Sequence, residues 1–327
     1  MKVVDIFYFG KMIEFITNDD ELYSCIKEEY SEYFKFVGDI KKSNDIKLKV
    51  INSAELYLKY FEYFKSKKKT KIKNDIYMDI RRENIVLINK CNKEIYIVYD
   101  KFNDERLEYI EEIISSVFGK LLEFDGVFFV DAICIEKNKK GILILGNDKN
   151  SKIITMLRLL QEGSNYISSR LVGIKDNYCL AFPNRVGINK KVIDNKLILE
   201  KYNKELLKKA GTEEKFNVTV KDIKKIFDIE TVTNIELCAI VEIYTYSIND
   251  YEFINKKEKA DLIQTLMFNK RTGIYKPVNY IINLFSENNN KNIEINMRKI
   301  VNIPSYNILI NNNNFDKSIE NILKLMK

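Results

Sequence analysis

The chain has 327 residues, 46% of them hydrophobic and 31% charged, with a formal net charge of +7. That is apolar material for one large domain or two smaller ones, and the interleaving of acidic with basic residues excludes the clustered basic face of a nucleic-acid binder. There is no histidine, which excludes Ser-His-Asp and Cys-His triads, histidine-ligated metal sites and a histidine general base.

In chain order, "VVDIFYFG" and "IEFIT" predict a hairpin and "ELYSCIKEEYSEYF" an amphipathic helix. "DIKLKVIN", "NIVLINK" and "EIYIVYD" alternate or run apolar as strands do. The basic run Lys65 to Lys73, "KSKKKTKIK", reads as a loop between two strand groups. Its alternative reading is a polyanion or membrane-surface contact. Residues 103–123, "NDERLEYIEEIISSVFGKLLE", carry the clearest helix, with Asn103 or Asp104 to cap it and apolar residues at three- and four-residue spacing. Then come "GVFFVDAICIE" as one apolar strand, a "KNKK" turn, "GILILG" as a second strand, and "SKIITMLRLLQEG" as a helix ending at Gly163. "NYISSRLVGI" and "NYCLAFP" follow as strands. Residues 196–250 are less regular, apart from the buried strand "TNIELCAIVEIYT". A helix "KKEKADLIQTLMFN", then a strand, an Asn-rich turn at 311–314 and a terminal helix complete the chain. The order implies an α/β fold with mixed sheets and at least one crossover helix. The expected organisation is an N-terminal α+β subdomain over 1–100 and a core domain over 101–327.

Between the strand "GILILG" and its helix lies the chemically suggestive segment. A phosphate-binding loop reads G-x-x-x-x-G-K-[ST]; its backbone N–H groups and the helix N-terminus cradle phosphates, its lysine neutralises them, and its hydroxyl holds Mg²⁺. Here the residues are Gly146, Asn147, Asp148, Lys149, Asn150, Ser151, Lys152 and Ile153. Gly146 and Lys152 match. Ser151 stands at the second glycine and Ile153 at the hydroxyl, which removes the oxygen a metal would need. Asn147 and Asn150 tolerate left-handed backbone and partly replace glycine. The alternative is an ordinary strand–loop–helix turn.

Five cysteines (Cys25, Cys91, Cys134, Cys179, Cys238) lie far apart in sequence. That argues against a disulfide framework or zinc ribbon and fits a reducing, cytoplasmic setting. Charges interrupt the apolar N-terminal run, so no signal peptide is expected, and no segment has the roughly 18 apolar residues of a membrane span.

The order of elements around the loop resembles the HPr kinase/phosphorylase-like family, whose fold is shared with phosphoenolpyruvate carboxykinase. It is most similar to the small HPr-kinase-related proteins found with peptide-modification genes, including lasso-peptide kinases. The resemblance rests on "LEYIEEIISSVFGKLLEFDGVFFVDAICI", "KKGILILG", "GSNYISSRLVGI", "LAFPNRVGI" and "NIPSYNILINNNNFDKSIENILKL". It covers residues 103–327 well and the first 100 loosely. It implies a carboxykinase-like P-loop kinase core with mixed sheets and flanking helices. It also implies ATP or another nucleotide as ligand, Mg²⁺ if the protein is active, a peptide or protein as substrate or partner, and a homo-oligomer.

On this resemblance the catalytic candidates are Lys152, Asp131 and Arg170. Asp131 falls near the family's strand histidine and either faces the loop or is a charge at a strand end. The family's acidic positions align with Ser168 and Ser169, which with Arg170 and Arg185 become the substrate-side candidates. Arg170 pairs a phosphate or an acidic group, or else a structural partner. For Lys149 and Arg185 the plain alternative is a solvated charge. Because the hydroxyl, the acid and the base are all replaced, two functions stand. One is a pseudokinase-type protein that binds a peptide, a partner or a nucleotide. The other is an active ATP-dependent kinase whose metal site is rebuilt from Asp131, Asp148 or Glu162.

Overall fold

The structure is a computed structural model and describes residues 1–37, 45–67, 71–73, 76–81, 84–193, 198–244, 254–256, 258–269, 295–296, 298–310 and 315–327. Residues 68–70 of the basic run and the Asn run 311–314 lie outside the described residues. The fold is mixed α/β. Two compact units divide after Asp125, so the long helix that the sequence groups with the core belongs to the first unit.

The first unit holds an eight-stranded mixed sheet in the order β3-β1-β2-β4-β8-β7-β6-β5. Its strands are β1 (Lys2–Tyr8), β2 (Lys11–Thr17), β3 (Lys35–Val37), β4 (Ile46–Asn52), β5 (Lys71–Lys73), β6 (Ile76–Arg81), β7 (Asn84–Asn89) and β8 (Glu94–Tyr99). The β1–β2 hairpin turns on Phe9 and Gly10, both at positive φ, the twist-matched two-residue turn. β2, β4 and β8 are parallel and bury Ile13, Phe15, Leu48, Val50, Ile95 and Ile97. The helices are α1 (Asp20–Tyr30), α2 (Ala54–Lys67) and α3 (Asp104–Phe124). Of the basic stretch that reads as a loop, the described residues 65–67 end α2 and 71–73 form strand β5.

Asp19 fastens the ends of the parallel strands. Its Oδ1 caps α1 by accepting from the N–H groups of Glu21 and Leu22, both at 3.0 Å. Its Oδ2 accepts from Tyr99 Oη at 2.8 Å and from Asn52 Nδ2 at 2.9 Å. Burial alone would raise the Asp19 pKa, but these hydrogen bonds outweigh it and hold the carboxyl below its usual range. A depressed folded-state pKa stabilises the fold above the unfolded value of about 4, and this contribution is lost as pH falls through the lower folded value. Asp19→Ala should therefore cost about 2–3 kcal/mol at pH 7, from a lost cap and a buried Tyr99 hydroxyl left unpaired. The gap between variant and parent should close on acidification. Urea unfolding at pH 7 and pH 3 checks this; a gap of equal size at both pH values would refute the assignment.

The second unit is built around one long strand, β17 (Asn234–Tyr244). Its other strands are β9 (Phe128–Val130), β10 (Ile133–Lys137), β11 (Lys140–Leu145), β12 (Asn165–Ser169), β13 (Val172–Lys175), β14 (Tyr178–Leu180), β18 (Ile254–Lys256) and β19 (Ser305–Leu309). The order is β12-β10-β11-β17-β14-β13-β9, with β19 also on β17 and β18 on β19. β11 and β19 run parallel to β17, and β14 antiparallel. A separate two-stranded antiparallel sheet pairs β15 (Val186–Asn189) with β16 (Lys215–Val218). The helices are α4 (Lys149–Gln161), α5 (Lys190–Ile193), α6 (Glu200–Ala210), α7 (Val220–Phe227), α8 (Lys259–Asn269) and α9 (Phe315–Lys324).

Two apolar runs that read as single strands are each split. "GVFFVDAICIE" breaks at Asp131 into β9 and β10, which pair with β13 and β11 respectively. "NYISSRLVGI" breaks at Arg170, whose φ is +67°. The stretch that looks irregular contains α6, β16 and α7, with Thr219 capping α7 through the Asp222 N–H. Among the described residues no helix is long and apolar enough to cross a membrane.

Candidate functional site

The site begins where β11 ends. Gly146 lies so close to β17 that a Cβ would sit 2.7 Å from Ile243 Cγ1 and 2.9 Å from its carbonyl oxygen. The glycine is thus demanded by strand packing. Beyond it the chain turns over Asn147 into α4. Asp148 is the N-cap, and its carboxylate accepts from the N–H groups of Asn150 (3.2 Å) and Ser151 (2.9 Å) and from the Ser151 hydroxyl. Burial raises the pKa of Asp148, but the Ser151 and Asn150 hydrogen bonds and the Lys152 charge override it, so the carboxyl titrates below its ordinary value. The backbone donors that a phosphate would use already hold a carboxylate.

One turn into α4, Lys152 is only 6% exposed. Its Nζ lies 2.6 Å from Asp131 Oδ1 and 3.2 Å from the Asp131 carbonyl oxygen. Asp131 is therefore brought to the loop lysine, from the break between β9 and β10. Its N–H donates to Asn269 O (2.9 Å) at the end of α8. Asn269 Nδ2 donates to Thr265 O (2.8 Å), and Thr265 Oγ1 to Glu242 Oε2 (3.0 Å). Glu242, buried on β17 opposite Leu145, is a residue the sequence reading missed. A lone carboxylate inside "AIVEIY" was the available signal.

The positions a metal would use are otherwise engaged. Ile153 is buried, and the Thr155 hydroxyl donates to Ser151 O at 2.7 Å. Of the three carboxylates that could rebuild a metal site, Asp131 is on Lys152, Asp148 caps the helix, and Glu162 pairs with Arg158 (3.0 Å) at the far end of α4. Among the described residues no group of three or more Cys, Asp or Glu is placed to hold a metal ion.

Ser168 and Ser169 point inward. Ser168 Oγ donates to Leu171 O (2.7 Å) and accepts from the Phe182 N–H (3.1 Å); the Ser169 hydroxyl is 3.0 Å from Tyr166 Oη. Both are fully buried, and they lock the turn that carries Arg170. Arg170 is exposed and Arg185 partly so, just before β15.

Lys149 is accessible as a whole, but its ammonium lies against Gly187 of the β15–β16 strand pair. A Cβ on Gly187 would be 3.4 Å from Lys149 Nζ and 3.3 Å from Asn217 Oδ1. Burial first, then the positive charges of Arg170, Lys215 and Lys152, pull the Lys149 pKa below the usual lysine value; Asp131 opposes them. Lys215, Asn217 and Gly187 are the further residues of this face that no local sequence signal marks.

No protein-family model matches the sequence, and no curated protein matches it. Among solved structures the chain is similar to the HPr(Ser) kinase/phosphatase from Coxiella burnetii, at 12% identity. The alignment covers 60% of this chain and 88% of that one, with a TM-score of 0.33. Overlap at that level says nothing about chemistry.

Proposed function

We propose that this chain is a degenerate HPr-kinase-like protein, which binds a peptide or protein partner and does not transfer phosphate. One observation carries the reading: the loop is filled by the protein's own carboxylates. Asp148 takes the helix N-terminal donors and Asp131 takes Lys152. An incoming phosphate would have to displace one carboxylate from its donors and sit beside both, against like-charge repulsion. With a buried isoleucine where Mg²⁺ needs oxygen, the residues present do not fit a nucleotide–metal complex.

A second reading is favoured by the Lys152–Asp131 pair itself. If phosphate replaced Asp131 on the lysine, the released carboxylate would lie beside the loop as a general base, and the chain would be an active kinase.

Calorimetric titration of the full chain with ATP, ADP and GTP, with and without Mg²⁺, separates the two. The expected result is no Mg²⁺-dependent binding up to millimolar nucleotide, and the same null result for Lys152→Ala. Binding that requires both Mg²⁺ and Lys152 would overturn the proposal in favour of the kinase.

A further inference from the structure

We propose that Lys149, Arg170 and Lys215, with Asn217 beside the bare backbone of Gly187, form the receptor for a carboxylate-rich peptide segment of a protein partner. The inference rests on the partner-binding reading above and names the chemistry of that partner.

The Lys149 ammonium, in the first turn of α4, and the Asn217 side chain on β16 both reach Gly187, and the charges of Arg170 in the β12–β13 turn and of Lys215 at the start of β16 act on that ammonium. Like charges do not gather without cost, and Lys149 registers it. Of the groups acting most strongly on Lys149, the one carboxylate is Asp131, which is already paired with Lys152. Lys149, Arg170 and Lys215 are all exposed residues, and their excess positive charge calls for an external anion.

Arg170 is held ready for it. Its left-handed backbone costs about 1 kcal/mol for a side chain with a Cβ. The buried Ser168 and Ser169 hydroxyls and a 2.8 Å bond from the Leu171 N–H to Ser169 O keep it there. The backbone thus fixes Arg170 at the turn, where the residue is exposed. Lys215 and Asn217 alternate outward on β16 while Phe216 and Val218 are buried. The bare Gly187 leaves the space in which the Asn217 side chain and the Lys149 ammonium lie close to it.

The geometry favours carboxylates over a phosphoryl group. Two of the backbone donors that would select a tetrahedral phosphate, the N–H groups of Asn150 and Ser151, belong to Asp148. The remaining cations are spread over three elements and suit several carboxylates spaced along an extended chain.

Fluorescence anisotropy with the full chain tests this, using a labelled short Glu-rich peptide, its Gln counterpart and unlabelled pyrophosphate as competitor. The Glu peptide should bind at least about tenfold tighter than the Gln peptide and weaken as salt rises. The double variant Arg170→Ala/Lys215→Ala should bind it about tenfold or more weakly. Lys204→Ala/Lys208→Ala on α6 should change nothing. Lys215→Gln alone, at an exposed position, guards against a misfolded double variant and should also weaken binding. Equal binding of the Gln peptide, an undiminished double variant or an equal loss in the α6 control would each overturn the receptor. So would pyrophosphate binding at these residues without peptide binding. Mg²⁺-dependent nucleotide binding would sink the partner-only reading whatever the peptide does. Absence of both nucleotide and peptide binding would sink this receptor and leave that reading standing.

Discussion

Asp131→Ala should lower the unfolding free energy by about 3 kcal/mol, while Lys152→Met combined with Asp131→Leu should cost less than about 1 kcal/mol. The asymmetry follows from burial. Lys152 is 6% exposed and its ammonium has the Asp131 carboxylate at 2.6 Å. Removing the carboxylate leaves a cation with one carbonyl oxygen at 3.2 Å in a poorly solvated place. Removing both charges abolishes the desolvation penalty together with the attraction, and well-packed apolar side chains of similar size often do as well. Asp131→Asn keeps an oxygen and should fall between, at about 1–2 kcal/mol. Chemical unfolding of the three variants at pH 7 is the measurement. An Asp131→Ala protein as stable as the parent would mean that the ion pair is not formed in solution. The self-filled loop would then lose half of its support.

Gly146→Ala should be at least as damaging, at about 3 kcal/mol. Its Cβ would enter a space already occupied by Ile243 Cγ1 at 2.7 Å and the Ile243 carbonyl at 2.9 Å. Overpacking of this kind costs about 1–3 kcal/mol, and its φ of +155° adds strain for any residue with a Cβ. Gly163→Ala is the matched comparison. Its φ is +78° but nothing lies within 4 Å of the new methyl, so only the backbone penalty of about 1 kcal/mol remains. Ile243→Ala should rescue Gly146→Ala only in part, because the carbonyl stays. Unfolding midpoints of the single and double variants decide this. A cost at Gly146 no larger than at Gly163 would show that the strand contact does not demand glycine.

The elements with strong local signals were legible in the sequence. The β1–β2 hairpin, α1, α3, β11, α4 and β17 declare themselves through periodicity, caps or length. The breaks in two apolar runs were not legible, because their causes are distant. Asp131 leaves the strand to meet Lys152 and Asn269, and no neighbour of Asp131 announces either. α6 and α7 were hidden by their lysines, since a charged surface helix and a polar loop have similar compositions. The loop itself was readable down to its missing glycine and hydroxyl. That Asp148 fills the vacated donors is a matter of rotamer and cap geometry, which spacing alone does not encode. Lys149 and Arg170 stood out as charges near the loop in sequence; Asn217 is brought to Lys149 only by the pairing of β15 with β16 across the intervening helices.

The place of β17 also sets the order in which the second unit can form. β14 pairs with its first residues, β11 with its middle and β19 with its last. As the chain leaves the ribosome, β9 to β14 emerge before β17, the strand that joins their two halves, and the pairing of β17 is complete only when Ser305–Leu309 follows. Such non-local pairing slows folding and leaves sheet edges open in the nascent chain. β17 is the common seam of the unit: withdrawing it would open the β12-β10-β11 half and the β14-β13-β9 half together, whereas the edge strands β12, β9 and β18 do not pair with it.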